Sequence, residues 1–131
     1  MNDTESLFRY RLSQALETLA DAEKMLQAHA SPRSIVNRAY YAMFYAVLAL
    51  LLNAEIQIKS SKHAGIISLF DKEFVRSGKM PIAFSKILHR AFDMRQEADY
   101  REFVEVSLED AIRIINESVD FVGAVKKHLG A

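Results

Sequence analysis

Pro32-Arg33-Ser34-Ile35-Val36-Asn37-Arg38-Ala39-Tyr40-Tyr41-Ala42-Met43-Phe44-Tyr45-Ala46-Val47-Leu48-Ala49-Leu50-Leu51-Leu52-Asn53 decides how this chain folds. Ser31 is a good N-cap and Pro32 a good first helical residue, so a helix starts there. From Ala39 to Leu52 no residue is charged and apolar side chains point in every direction. A helix apolar on all sides belongs in the middle of a bundle or at a subunit interface. The uncharged run is shorter than the roughly 18–20 apolar residues of a membrane span, and it holds Tyr40, Tyr41 and Tyr45. A core helix in a soluble protein is therefore expected. If its apolar face exceeds what one bundle can cover, the surplus should be buried against a second copy.

Upstream, Phe8, Leu12, Ala15, Leu19, Ala22 and Leu26 recur at alternating steps of four and three, which predicts an amphipathic helix from Glu5 to about His29. Downstream, residues 54–60 form a short connection. Ser60 or Ser61 can cap a third helix with Ile66, Ile67, Phe70 and Phe74 inward. Gly78 suits a left-handed helix end, and Pro81 stops any continuation. Phe84, Ile87, Leu88, Ala91 and Met94 predict a fourth, shorter helix, while residues 97–106 lack a clean period and read as a turn or loop. Ser107 and Asp110 have the spacing of a capping box. Leu108, Ile112, Ile115, Val119, Val122 and Leu129 then mark a long last helix. No strand alternation or repeat is present. The expectation is an all-α, up-and-down four-helix bundle with a short extra helix, in one domain spanning residues 1–131.

Composition removes several functions. Seventeen Lys and Arg balance seventeen Asp and Glu, so the chain lacks the basic surplus that non-specific nucleic-acid coating requires. With no cysteine, disulfides, thiol nucleophiles and cysteine-rich zinc sites are excluded. The start, Met1-Asn2-Asp3-Thr4-Glu5, is polar and acidic, unlike a signal peptide, and a cytoplasmic location with no membrane partner is expected. His29, His63, His89 and His128 are too scattered to place two ligands on one helix face, so no metal is expected. Phosphate-cradling glycine loops and a serine elbow are also missing, and no cofactor is implied.

Two clusters could carry chemistry. At the head of the second helix, Asn37, Tyr41 and Tyr45 share a face, and Arg38 lies three residues from Tyr41. These tyrosines can pack their rings and satisfy their hydroxyls, or contact a ligand. In the second, Arg95-Gln96-Glu97-Ala98-Asp99-Tyr100-Arg101, the Arg95 guanidinium can clamp a phosphate in bidentate fashion, with Tyr100 stacking on a base. It can equally bridge to Glu97 or Asp99. Spacing alone leaves both open.

Together these segments resemble the HEPN domain family, and most closely its small stand-alone prokaryotic branch. The resemblance rests on Asn37-Arg38-Ala39-Tyr40-Tyr41-Ala42-Met43-Phe44, then Ser61-Lys62-His63-Ala64-Gly65, then Phe70, Phe74 and Gly78, and finally Arg95 with Asp99-Tyr100. It implies a helical bundle, usually dimeric, often paired with a minimal nucleotidyltransferase in a toxin–antitoxin-like module. Active members of the family are metal-independent ribonucleases with an R-x-x-x-x-H motif. Here Arg95 takes the arginine position and Gln96 the polar position after it, while the histidine position falls on Tyr100. A phenol with a pKa near ~10 is a poor base at neutral pH. The resemblance therefore implies first a protein that binds nucleotide or RNA phosphate and a partner, at a homodimer cleft lined by Arg95, Tyr100, Arg38, Tyr41, Gln96 and Asp99. A ribonuclease with a degenerate motif, catalysed by Arg95 and Tyr100, is the alternative. His63 and His89 could replace the missing imidazole, and the sequence gives no ground for choosing between them.

Overall fold

The computed structural model describes residues 3–100 and 105–130. All regular structure among them is helical: α1 (Asp3–Gln27), α2 (Pro32–Asn53), α3 (His63–Phe70), a π-helical turn (Asp71–Val75), α4 (Ile82–Tyr100) and α5 (Leu108–His128). The bounds of α2 are the expected ones. Ser31 caps it, accepting from the Ser34 N–H through its side chain. α2 packs against α1, α4 and α5, and most extensively against α1.

That central position follows from composition. From Ile35 to Leu51, Ile35, Val36, Ala39, Tyr40, Ala42, Met43, Phe44, Ala46, Val47, Ala49, Leu50 and Leu51 are all buried within the chain. By length and composition α2 could cross a membrane, yet 67% of its most apolar window lies inside this protein. One stripe of α2, Tyr41, Tyr45, Leu48 and Leu52, is only half-buried. The large apolar side chains left exposed lie elsewhere: Leu7, Tyr10 and Leu16 on α1, Ile82 and Tyr100 on α4, and Leu108, Ile112 and Val119 on α5.

Three local expectations need correction. The third helix has Lys62 at its N-cap with no side-chain cap, because the Ser60 hydroxyl instead accepts from the Lys62 N–H at 3.1 Å, one step too early. Beyond Phe70 the helix widens into the π turn, closed by Arg76 N–H onto the Asp71 carbonyl. Ile66, Ile67, Phe70 and Phe74 are inward as expected.

The fourth helix does not end near Glu97. It continues to Tyr100, because the buried Ala98 extends the inward row of buried Ala91 and half-buried Met94, and Arg95 pairs with Asp99 one turn on. Of the expected loop, residues 101–104 lie outside the described residues.

On α5 the expected stripe is partly the wrong one. Ile115 and Val122 are buried, but Leu108, Ile112 and Val119 are exposed, and the inward row is Ala111, Ile114, Ile115, Ser118, Phe121, Val122 and Val125. Small residues let α5 approach α2 closely, and the fully buried Ser118 hydroxyl donates to the Ala39 carbonyl at 2.9 Å. Its capping box, Ser107 with Asp110, is formed in both directions.

Candidate functional site

Two helix segments, the head of α2 and the end of α4, bring the charged candidates together. Residues 37, 38, 41 and 45 fall within about two turns of α2, so their side chains leave the helix as one patch before it becomes wholly apolar. On α4, Arg95 and Asp99 are one turn apart and face that patch.

Arg95 is the hub. Its side chain is 12% exposed, and its Nε lies 3.2 Å from Asp99 Oδ2. One terminal nitrogen donates to the Tyr41 hydroxyl at 3.1 Å. The guanidinium carbon stands 5.6, 5.4 and 5.6 Å from the ring centres of Tyr40, Tyr41 and Tyr100, all within cation–π range. Although the Nε–carboxylate distance fits an ion pair, the N–H is not aligned on it. Among the described residues no acceptor meets this buried N–H with hydrogen-bond geometry. A guanidinium has five N–H donors. Among the described residues, only the bond to Tyr41 is fully formed.

Asp99 also accepts from Asn37 Nδ2 at 3.4 Å, and the Asn37 carbonyl oxygen accepts from Arg38 Nε and a terminal nitrogen at 3.1 and 2.9 Å. Arg38 itself stands 5.1 Å from the Tyr41 ring centre. The chain of contacts runs Arg38–Asn37–Asp99–Arg95–Tyr41. Among the described residues in this chain of contacts, two guanidiniums thus flank one tyrosine with one carboxylate between them.

The side facing α3 was not resolved by sequence reasoning. His63, the first residue of α3, stacks on Phe44 with ring centres 4.0 Å apart and 11° between planes. Its Nδ1 lies 2.7 Å from the hydroxyl of Tyr40, which is fully buried. Tyr41 presents an edge to it at 5.6 Å. Burial pushes the Tyr40 hydroxyl well above the ordinary tyrosine range, with Arg95 opposing and Tyr41 adding to that shift. Burial, and then the Arg95 charge, lower the proton affinity of His63 below that of an ordinary histidine. His63 therefore joins the Arg95 cluster, whereas His89 is remote from it and pairs with Asp71 at 2.6 Å. The only sequence signal was position: an imidazole at a helix N-terminus, where a cation is disfavoured, next to an aromatic helix.

Of the residues expected to act together, Arg95, Tyr41, Arg38 and Asp99 are assembled, and Tyr100 closes the rim with 71% of its surface exposed. Gln96 is not drawn to Arg95. It lines a shallow groove along α4 with Phe92, Asp93, Glu97 and Tyr100, sharing only Tyr100 with the cluster. Among the described residues no group of three or more His, Asp or Glu side chains could hold a metal ion.

Comparison with known proteins identifies the family. The HEPN domain model matches residues 8–128. A protein of Thermotoga maritima named "UPF0332 protein" is 39% identical, over 97% of this chain and 94% of its own. Two proteins of Methanocaldococcus jannaschii, each named "Putative toxin", are 34% and 37% identical, over 94% and 88% of this chain and 87% of each of theirs. With nearly its whole length matched, the chain belongs to the HEPN domain family.

Proposed function

We infer that this protein binds the phosphate of an RNA or nucleotide at the Arg95 cluster and works as the HEPN component of a toxin–antitoxin-like module. The observation that carries this reading is the Arg95 guanidinium: among the described residues it is held over tyrosine rings by one carboxylate, and its buried Nε–H meets no acceptor with hydrogen-bond geometry. Buried donors without partners are rare, and a ligand oxygen is one way of supplying one. Arg38 adds a second positive charge beside Tyr41, and the exposed Tyr100 ring offers a face on which a base can stack. A carboxylate repels phosphate, so Asp99 serves by orienting Arg95 and Asn37 rather than by touching the ligand. The names of the M. jannaschii relatives support a toxin-like role.

The wider assembly belongs to the same reading. The four long helices α1, α2, α4 and α5 form an up-and-down bundle with α3 as its short addition. Two copies pair so that their Arg95 clusters share a cleft, and a minimal nucleotidyltransferase is the partner protein. The setting is the cytoplasm. The half-buried stripe Tyr41, Tyr45, Leu48 and Leu52 on α2 and the apolar residues left exposed on the other helices are the surfaces open to that pairing.

Metal-independent RNA cleavage is the second reading. It is favoured by the two motif positions, Arg95 and Tyr100, standing together, with the guanidinium 5.6 Å from the ring centre. One experiment separates the two. Purified protein is mixed with a labelled single-stranded RNA pool in EDTA, and both anisotropy and strand integrity are followed for wild type and Arg95→Ala. Retention of intact RNA by wild type, lost in Arg95→Ala, supports binding; cleavage lost in Arg95→Ala supports the second reading. Equal behaviour of the two proteins removes both.

A further inference from the structure

The orientation of the His63 ring fixes what it can do. Its plane is set by stacking on Phe44, and the edge of Tyr41 limits its movement. Its Nδ1 faces the Tyr40 hydroxyl at 2.7 Å, and that hydroxyl keeps its proton because burial disfavours the phenolate. With the imidazole neutral, one of the two must donate. Tyr40 has an oxygen-bound proton and no other acceptor among the described residues, so it donates and Nδ1 accepts. The remaining ring proton must then sit on Nε2. No described residue bonds Nε2, and the ring is only partly buried; His63 and Arg95 both stand against the rings of Tyr40 and Tyr41, His63 at 5.7 and 5.6 Å and the guanidinium at 5.6 and 5.4 Å from their centres.

We propose that His63 is a second phosphate contact of the Arg95 site, donating its Nε2–H to an oxygen of the bound RNA or nucleotide, with Tyr40 as the residue that fixes its tautomer. This rests on the reading of Arg95 as the phosphate-binding group and adds the neutral partner that such a site needs. A guanidinium supplies charge, while an oriented imidazole N–H supplies direction without adding a second desolvated cation. The same tautomer bears on cleavage. An Nε2 that already carries a proton cannot accept one from a 2′-hydroxyl, so His63 does not replace the missing histidine of the motif as a base.

The test has two arms. In protein labelled with 15N at histidine, long-range proton–nitrogen correlation at pH 7 should show His63 protonated at Nε2 and bare at Nδ1, and Tyr40→Phe should lift this preference. Protonation at Nδ1 in the wild type overturns the proposal. In the second arm the probe is a fluorescein-labelled single-stranded RNA 12-mer of mixed sequence, in EDTA. His63→Phe keeps the stacking ring but has no donor, and should bind about 3–10-fold more weakly, as expected for one neutral hydrogen bond. His63→Gln, whose amide N–H reaches the same place, should recover most of that loss. Wild-type affinity in His63→Phe, with weakened binding in Arg95→Met, sinks the role of His63 and leaves Arg95 standing. Unaltered binding in Arg95→Met sinks the underlying reading instead. Should His63→Phe fail to fold, the wild-type Nε2–H resonance decides: it must shift when RNA is added, and a stationary signal overturns the proposal.

Discussion

Replacing Arg95 by methionine separates a ligand-binding arginine from a structural one. Methionine keeps an unbranched stem over Tyr40 and Tyr41, and its sulfur packs well against aromatic rings. What is lost is the ion pair at 3.2 Å and the bond to the Tyr41 hydroxyl. At an effective dielectric of about 20 the gross attraction across that ion pair is ~5 kcal/mol. Against it stands the desolvation of a guanidinium held at 12% exposure, several kcal/mol in sites of this kind. Asp99, with 26% of its side chain exposed, keeps Asn37 and gains water when the arginine goes. The net change in stability should therefore stay within about 1 kcal/mol in either direction. For 131 residues that is about 3–4 °C in Tm. RNA affinity should meanwhile fall roughly 10–100-fold, the effect of removing charge-assisted hydrogen bonds. The assay is paired: urea unfolding for stability and anisotropy for binding, on one preparation. A loss of 3–5 kcal/mol, the range for breaking a buried ion pair, with binding unaltered would refute the reasoning and make Arg95 a structural tie.

Further predictions concern proton affinity and packing. Because burial and Arg95 depress the proton affinity of His63, the unfolded chain binds its proton more readily than the folded one. His63 therefore costs nothing well above pH 6.5, and stability should decline as pH falls below that value until the folded histidine also titrates. The groups that face it are Arg95, Tyr40 and Tyr41, and burial keeps the Tyr40 hydroxyl protonated throughout that window. Urea midpoints between pH 7.5 and 5 should show a component that His63→Gln removes, and an identical pH profile in that variant would contradict it. Ser118→Ala deletes the bond to the Ala39 carbonyl and should destabilise by about 1 kcal/mol with no change in denaturant slope. Ser107→Ala opens the capping box of α5 and should cost about 1 kcal/mol, read from the same transition. Gly78, at φ 83° with open space around its Cα, should lose about 1 kcal/mol as alanine from backbone strain alone.

Helix existence was legible because capping, periodicity and the apolar run from Ala39 to Leu52 all agree locally. The end of α4 was not, since Ala98 is too small to register as a core residue until Ala91 and Met94 are seen to align with it. α5 carries two apolar stripes, and only the approach of Ser118 and Ala111 to α2 selects the inward one. Of the site, Arg95, Arg38, Tyr41, Asp99 and Tyr100 stood out because charge and aromatic rings coincide at helix ends. His63 could not be chosen over His89 from sequence: its role depends on Tyr40 and Phe44, which lie 23 and 19 positions earlier and meet it only in the folded chain.

The central claim, that phosphate meets the guanidinium of Arg95, is tested most directly by observing arginine side-chain N–H signals during titration with a short single-stranded RNA. The account predicts that the resonance of the Arg95 Nε–H, which is buried and has no bonded acceptor among the described residues, moves and sharpens as RNA is added, together with the ring signals of Tyr41 and Tyr100. Saturable binding that leaves those signals in place and perturbs another surface would contradict it.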